Sequence, residues 1–406
     1  MNLKYHEDLK TFIMSGIDET PVAARHDPFW QSLRSTGTEL WLDTGDMAEA
    51  EANWTAEMTA LTTNNTLLNN EIQKGIYDGF IPSALKLVRH LPVSEQVKEI
   101  AFIINARHGL RLAKKFGGLV SVELHTDTAY DIDAIVAYGM RYWELCPGQF
   151  IVKVPYTPEG LIGARRLREA GVRINFTLEF SARQNALVTL VAKPDYLNVF
   201  LGRIGALIAD NKIGDGSGAG ENALLSSQTW VTRLSAENGW KTRQIAASLR
   251  NYTQLDLLAG TDVYTIPPKV AAAGRKSLPG LFASKLGTHY DVPLNDDASG
   301  LGIEKFWEVP KSVIDLGRSL NAKVPATGEE LIRRVHEAGL GEMFPIMSRE
   351  DNERIAAEGK IPVLKSWKER IIKGELALDT MLTLAGLASF TADQRQLDDR
   401  IRGLIG

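Results

Sequence analysis

The sequence predicts an α/β protein: a (β/α)8 barrel of parallel strands with an N-terminal helical segment before it and an extended C-terminal helical layer after it. Three observations predict this. Eight short apolar or β-rich runs fall within roughly 250 residues, the usual span of such a barrel. Most are followed by a segment of helical period, the mark of βα units and a parallel sheet. No early glycine-rich turn appears, as a dinucleotide-binding, doubly wound open sheet would require.

Taken in order, residues 1–37 open with MNLKYHEDLKTF, charged and helix-like. The strand candidates are 39–43 (ELWLD), 60–63 (ALTT), 119–124 (LVSVEL), 150–155 (FIVKVP), 173–178 (RINFTL), 196–200 (YLNVF), 243–247 (RQIAA) and 262–266 (DVYTI). The connection between Thr63 and Leu119 is too long for a bare loop and carries helical segments, including 94–108 (SEQVKEIAFIINARH). In 157–170 (TPEGLIGARRLREA), Leu161, Ala164 and Leu167 share a face, Thr157 is an N-cap candidate, Pro158 suits the first helical position and Gly171 marks the stop. A barrel over 38–300 is therefore expected. Beyond about residue 300 the β signal fades, and 327–338 and 391–404 have helical period, so 301–406 reads as a helical extension.

Composition narrows the function. The 406 residues hold 46 Lys and Arg against 50 Asp and Glu, a net charge of −4, with 44% hydrophobic and 24% charged residues. Scattered charge without a basic stripe argues against nucleic acid as a partner. No window reaches the roughly 18 consecutive apolar residues of a membrane span. The charged start and the single Cys146 suggest a cytoplasmic protein without an internal disulfide. The seven histidines form neither HxxxH nor HExxH, so no metal site is expected.

In a parallel barrel the chemistry gathers at the C-terminal ends of the strands. Those ends offer Asp43, Thr62, Asn64, Glu123, Lys153, Asn175 with Thr177, Asn198, and Ser248 with Arg250. Charged and amide groups delivered inward need partners around a common cavity, because an unpaired buried charge costs several kcal/mol. Lys153 stands out in Ile-Val-Lys-Val-Pro, where burial favours a neutral, nucleophilic amine able to form a Schiff base with a ketone. Taken alone, such a lysine also fits pairing with Glu123 or an ammonium that reaches out to solvent.

LWLDTGD, ALTTNNTLL, VSVEL, IVKVPYTPEG, RINFTLEFS, FLGRI and AASLRN, in this order and at these spacings, resemble the transaldolase family over about residues 38–275. The resemblance implies a class I aldolase barrel, with the Schiff-base lysine on the fourth strand, where Lys153 falls. It further implies Asp43 as the base that takes the C4 hydroxyl proton, and Glu123 with Thr177 as holders of the catalytic water. Thr62, Asn64, Asn175 and Asn198 would bind the hydroxyls of a dihydroxyacetone unit, and Arg203, Ser248 and Arg250 a phosphate. Glu123 and Phe200 resemble the transferases of the superfamily, whereas its fructose 6-phosphate aldolases have Gln and Tyr there.

The implied reaction moves a dihydroxyacetone unit from a ketose phosphate (sedoheptulose 7-phosphate or fructose 6-phosphate) to an aldose phosphate (erythrose 4-phosphate or glyceraldehyde 3-phosphate), as in the pentose phosphate pathway. The partners are sugar phosphates, no cofactor is needed, and a homo-oligomer is allowed. A lyase of the same fold, a transaldolase for a specialised ketose with another anionic group, and a catalytically silent scaffold remain alternatives. The chain departs from the family pattern at Asn65, where proline is usual, and at Asn198, where serine is common. Residues 214–220 (GDGSGAG) lack the P-loop ending and read as a flexible loop over the barrel mouth. Trp230, Trp240, Trp307 and Trp367 read as helix-packing core.

Overall fold

In the computed structural model, which describes residues 3–406, eight parallel strands close into a barrel in sequence order. They are β1 (Glu39–Asp43), β2 (Met58–Thr62), β3 (Leu119–Glu123), β4 (Phe150–Pro155), β5 (Ile174–Thr177), β6 (Tyr196–Phe200), β7 (Arg243–Ala247) and β8 (Val263–Ile266). β1 pairs with β8 as well as with β2, which completes the ring. All eight are the expected runs, with ends shifted by a residue or two. No strand follows β8 among the described residues.

The strands are buried on both faces, as in a parallel sheet covered by helices. Leu40, Trp41 and Leu42 of β1 have no exposed surface, nor do Ile151 and Val152 of β4. Full burial of each Leu or Ile side chain contributes roughly 1.5–3 kcal/mol. The crossover helix Pro158–Glu169 begins as expected, with Thr157 Oγ1 accepting from Gly160 N at 2.8 Å and Pro158 in its first turn. Gly160 is needed there, since a Cβ would lie 2.1 Å from the Pro155 carbonyl oxygen.

The long β2–β3 connection forms the helices Asn65–Gln73, Ile81–Val88 and Val93–Phe116. The last runs eight residues beyond the predicted stretch, and at Gly109 β3 and β4 press so close that a Cβ would meet Val122 at 2.8 Å and Phe150 at 3.0 Å. It stops at Gly117, which takes the left-handed conformation at φ +68°.

Two helices, Leu3–Met14 and Pro28–Ser35, precede β1; Met1 and Asn2 lie outside the described residues. After β8 come only helices and turns, ending in Leu378–Ile405. This last helix starts well before the predicted 391–404, because 378–390 is buried against several elements and so lacks an amphipathic stripe. Its start is fixed to the barrel: Asp379 takes hydrogen bonds from Ser181 and Arg183, and Thr383 Oγ1 donates to the Leu178 carbonyl at 2.8 Å.

Trp367 is buried and donates to Glu358, while Trp230, Trp240 and Trp307 pack half-buried against the core, as expected of core residues. The glycine-rich stretch is a correction. Gly214 bridges to Leu294, and a Cβ on Gly218 would lie 2.1 Å from the Asp291 carbonyl oxygen, so the loop is packed down beside the barrel mouth and not loose over it.

Candidate active site

The barrel register sets the first row of the site. Lys153 on β4 stands between Glu123 of β3 and Asn175 of β5. Side chains two residues apart share a face, so Asn175 and Thr177 follow each other up the same wall. Lys153 is 4% exposed, and its Nζ lies 3.4 Å from both Glu123 Oε2 and the Thr63 carbonyl oxygen. The ring of Phe390, on the C-terminal helix, lies across the same amine with its centroid 5.9 Å away.

The two carboxylates occupy different surroundings. Asp43, at the end of β1, accepts from Thr62 Oγ1 at 2.7 Å, and that hydroxyl also meets Thr265 Oγ1 of β8 at 2.5 Å. Burial raises the Asp43 carboxyl above its ordinary range, against the hydrogen bond from Thr62 and the charge of Lys153. Burial also raises Glu123, with Lys153 again opposing. Two carboxyls lifted above the usual range beside a lysine are suited to proton transfer.

Amides and hydroxyls fill the neighbouring β5 and β6 side. Asn198 Nδ2 reaches from β6 to Asn175 Oδ1 at 2.8 Å and to the Phe176 carbonyl at 2.5 Å, while Asn175 Nδ2 donates to Ser121 Oγ at 3.0 Å. The chain of bonds holds both carboxamides in one orientation. Thr177 Oγ1 is buried with no hydrogen-bond partner. Asn64 serves partly as structure, since its Oδ1 accepts from Leu67 N and caps the helix Asn65–Gln73.

A cavity of about 150 Å³ opens above Lys153, lined by Asp43, Thr62, Asn64, Asn198, Phe200, Arg203 and Ser248 among others. Glu123, Asn175 and Thr177 stand in the wall behind that lining. Arg203 sits in the first turn of the helix Leu201–Asp210, is 6% exposed and has a buried Nη1 without a partner. Burial, helped by the nearby charge of Arg250, pulls its guanidinium down to about 10, still charged at neutral pH. Ser248 takes a positive φ of 61°. Arg250 lines not this cavity but an adjoining one of about 510 Å³, bordered by Gly202, Gly218 and Glu221.

The expected list missed six lining residues: the apolar Leu67 and Ala247, and Thr66, Thr265, Lys360 and Phe390. Thr265 had a signal, as a hydroxyl near the end of the apolar run VYTI. Lys360 and Phe390 had none, because only the folding of the C-terminal extension brings them over the barrel. Glu179, just beyond Thr177, is also unexpected: it is fully buried and neither carboxyl oxygen has a hydrogen-bond partner. Burial holds its carboxyl well above the ordinary carboxylate range.

The model of the family described as transaldolase/fructose-6-phosphate aldolase matches residues 40–290. The chain belongs to that family. A probable transaldolase of Thermus thermophilus is 34% identical over 238 residues, covering 57% of this chain and 88% of the relative. The transaldolase of Cricetulus griseus is 30% identical over 218 residues, 52% of this chain and 64% of its own length. That of Prochlorococcus marinus is 27% identical over 278 residues, 66% and 79% respectively. Matches to the mammalian relatives thus span somewhat less than two thirds of those proteins.

The family match takes in the eight strands but for Glu39 and ends well before the C-terminal helix. At Asn65, where this transaldolase-family chain departs from the usual proline, Nδ2 donates to Gln394 Oε1 at 2.7 Å. The departure ties the β2 end of the barrel to the extension. The described residues hold no group of three or more His, Cys, Asp or Glu placed to bind a metal ion, and no helix among them is long and apolar enough to cross a membrane.

Proposed function

We propose that this family member is a transaldolase of the cytoplasm, transferring a dihydroxyacetone unit between sugar phosphates through an imine at Lys153. The observation that carries the reading is the buried Lys153 amine between Glu123 and the Asp43 side of one small polar cavity. The amine attacks the ketose C2, and Glu123 passes protons through a water held with Thr177 as the carbinolamine loses water. The protonated imine is the electron sink. Asp43 takes the proton of the C4 hydroxyl, the C3–C4 bond breaks to release an aldehyde, and its electron pair moves into an enamine on the bound three-carbon unit.

Attack of that enamine on the aldehyde of an aldose phosphate forms the new bond, and water then frees the product ketose from Lys153. Thr62, Asn64, Asn175 and Asn198 would hold the hydroxyls of the three-carbon unit. Arg203 and Ser248 would hold the phosphate, for which a guanidinium fork is well shaped, with Arg250 adding only its charge from the adjoining cavity. Phe200 brings no phenol proton donor to the cavity, which favours an enamine that waits for an acceptor over one that is protonated and released.

Borohydride trapping with fructose 6-phosphate, read by the mass of the intact protein and of the Lys153 peptide, tests the imine. A reduced three-carbon adduct on Lys153 is the expected result. Labelling by other ketoses but not by this one points to a specialised substrate, and no labelling by any ketose removes the imine mechanism. The aldolase reaction that the family also includes is separated by its product: free dihydroxyacetone released without an acceptor aldehyde.

A further inference from the structure

The barrel does not wall the cavity above Lys153 by itself. Lys360 and Phe390 also line it, and both lie beyond residue 290, where the family match ends. Phe390 supplies an apolar cover; Lys360 supplies a positive charge. It sits between the helix Arg349–Glu358 and the short turn Leu364–Ser366, in a segment with a defined shape. Gly359 turns the chain at φ +78°, and Glu358 Oε2 accepts from Val363 N at 2.8 Å and from Trp367 Nε1 at 2.9 Å.

The same segment is clamped to the helix that carries Arg203. Asn211, the cap residue at the C-terminal end of Leu201–Asp210, donates through Nδ2 to the Pro362 carbonyl at 2.9 Å and accepts through Oδ1 from Leu364 N at 2.8 Å. Two cations of the cavity are thereby referenced to one helix: Arg203 near its start and Lys360 through its end. Lys360 makes no ion pair among the described residues, and Arg203 keeps a buried Nη1 without a partner. Arg250, which the family resemblance assigns to the phosphate, lines the adjoining cavity, so besides Lys153, whose amine the imine reading uses, the basic residues in this lining are Arg203 and Lys360.

We propose that Lys360 binds the anionic end of the substrate, so that the C-terminal extension, outside the family match, sets this enzyme's selectivity for phosphorylated over neutral ketoses. The inference rests on the imine reading above and extends it to the residue that selects the substrate. Lys360 is exposed, and an ammonium at the cavity lining without a carboxylate partner attracts an anion over several ångströms and donates a charge-assisted hydrogen bond on contact. Neutral sugars gain little from it.

The test is borohydride trapping at varied concentrations of fructose 6-phosphate and of fructose, on the wild type, Lys360→Met and Lys360→Arg. The readout is the ratio of labelling efficiencies for the two sugars. In Lys360→Met the phosphorylated-to-neutral ratio should fall roughly tenfold or more, the worth of one charge-assisted hydrogen bond. Lys360→Arg should regain most of that loss. Asn211→Ala, which releases the clamp, should shift the ratio in the same direction by less.

A fall in Lys360→Met smaller than tenfold, which is about 1.4 kcal/mol, overturns the assignment while leaving the imine reading standing. A wild type that no ketose labels overturns both.

Discussion

Asp379 is the residue whose removal should most clearly separate the extension from the barrel. It is fully buried in the first turn of the helix Leu378–Ile405, and it accepts from Ser181 Oγ at 2.6 Å and from Arg183 Nε and Nη2, both at 2.8 Å. Arg183 belongs to the barrel helix Ala182–Val191, and its side chain is 2% exposed. Asp379→Ala leaves that guanidinium with Glu342 alone, through Nη1 at 2.8 Å. Breaking a buried ion pair by deleting one partner costs about 3–5 kcal/mol. The surviving Glu342 contact places this case near the lower end, about 3 kcal/mol.

The pH dependence has a definite sign. Burial pushes the Asp379 carboxyl up, but the charge and hydrogen bonds of Arg183 outweigh it and hold the carboxyl below its ordinary value of 3.8. A carboxylate depressed in the fold contributes stability above its unfolded pKa and loses it as pH falls through the folded one. The gap between wild type and Asp379→Ala should therefore be constant from about pH 5 to 8 and close below the ordinary carboxylate range. Urea denaturation followed by tryptophan fluorescence, repeated across pH, measures it. A gap under about 1 kcal/mol at pH 7, the value of an exposed pair, would falsify the buried-pair argument. Phe390 lies about three turns along the same helix, so labelling of Lys153 should slow as well.

Three further outcomes are expected. Lys153→Ala should fold as wild type yet lose turnover by several orders of magnitude, because the covalent route disappears; steady-state transfer between sugar phosphates measures this, and substantial residual transfer contradicts it. Asp43→Asn should abolish C3–C4 cleavage and raise the Tm at neutral pH: a carboxyl raised by burial favours the fold only below its ordinary value and loses that contribution as pH rises through the raised one. The Tm gain should shrink toward pH 4, and a gain that grows in acid contradicts the assignment. Gly202→Ala places a Cβ 2.1 Å from the Ser248 carbonyl oxygen and 2.7 Å from Arg250 Cγ, so it should cost about 1–3 kcal/mol and raise the KM for phosphorylated sugars. Thermal unfolding and steady-state kinetics of that variant read both effects together.

The strands were legible because burial on both faces of a parallel sheet leaves contiguous apolar runs, interrupted only where a strand end turns chemistry inward. Lys153 is the clearest example, a charge among Ile151, Val152 and Val154 that local sequence cannot satisfy. The crossover helix Pro158–Glu169 was legible for the same local reason, since its cap, its proline and its apolar face lie within a few residues. The helix Leu378–Ile405 was half hidden: where every side of a helix is covered, the period vanishes.

The eight strands, their order and the polar residues at their ends could be read along the chain, because they follow from local pattern and from motifs at fixed spacing. It took the folded barrel to put Glu123, Lys153 and Asn175 in one row, to set Arg250 in a neighbouring cavity, and to bring Lys360 and Phe390 from some two hundred residues beyond Lys153 to line the site. The physical reason is that register and long-range contact depend on how helices pack around a closed sheet, and no short window of sequence carries that information.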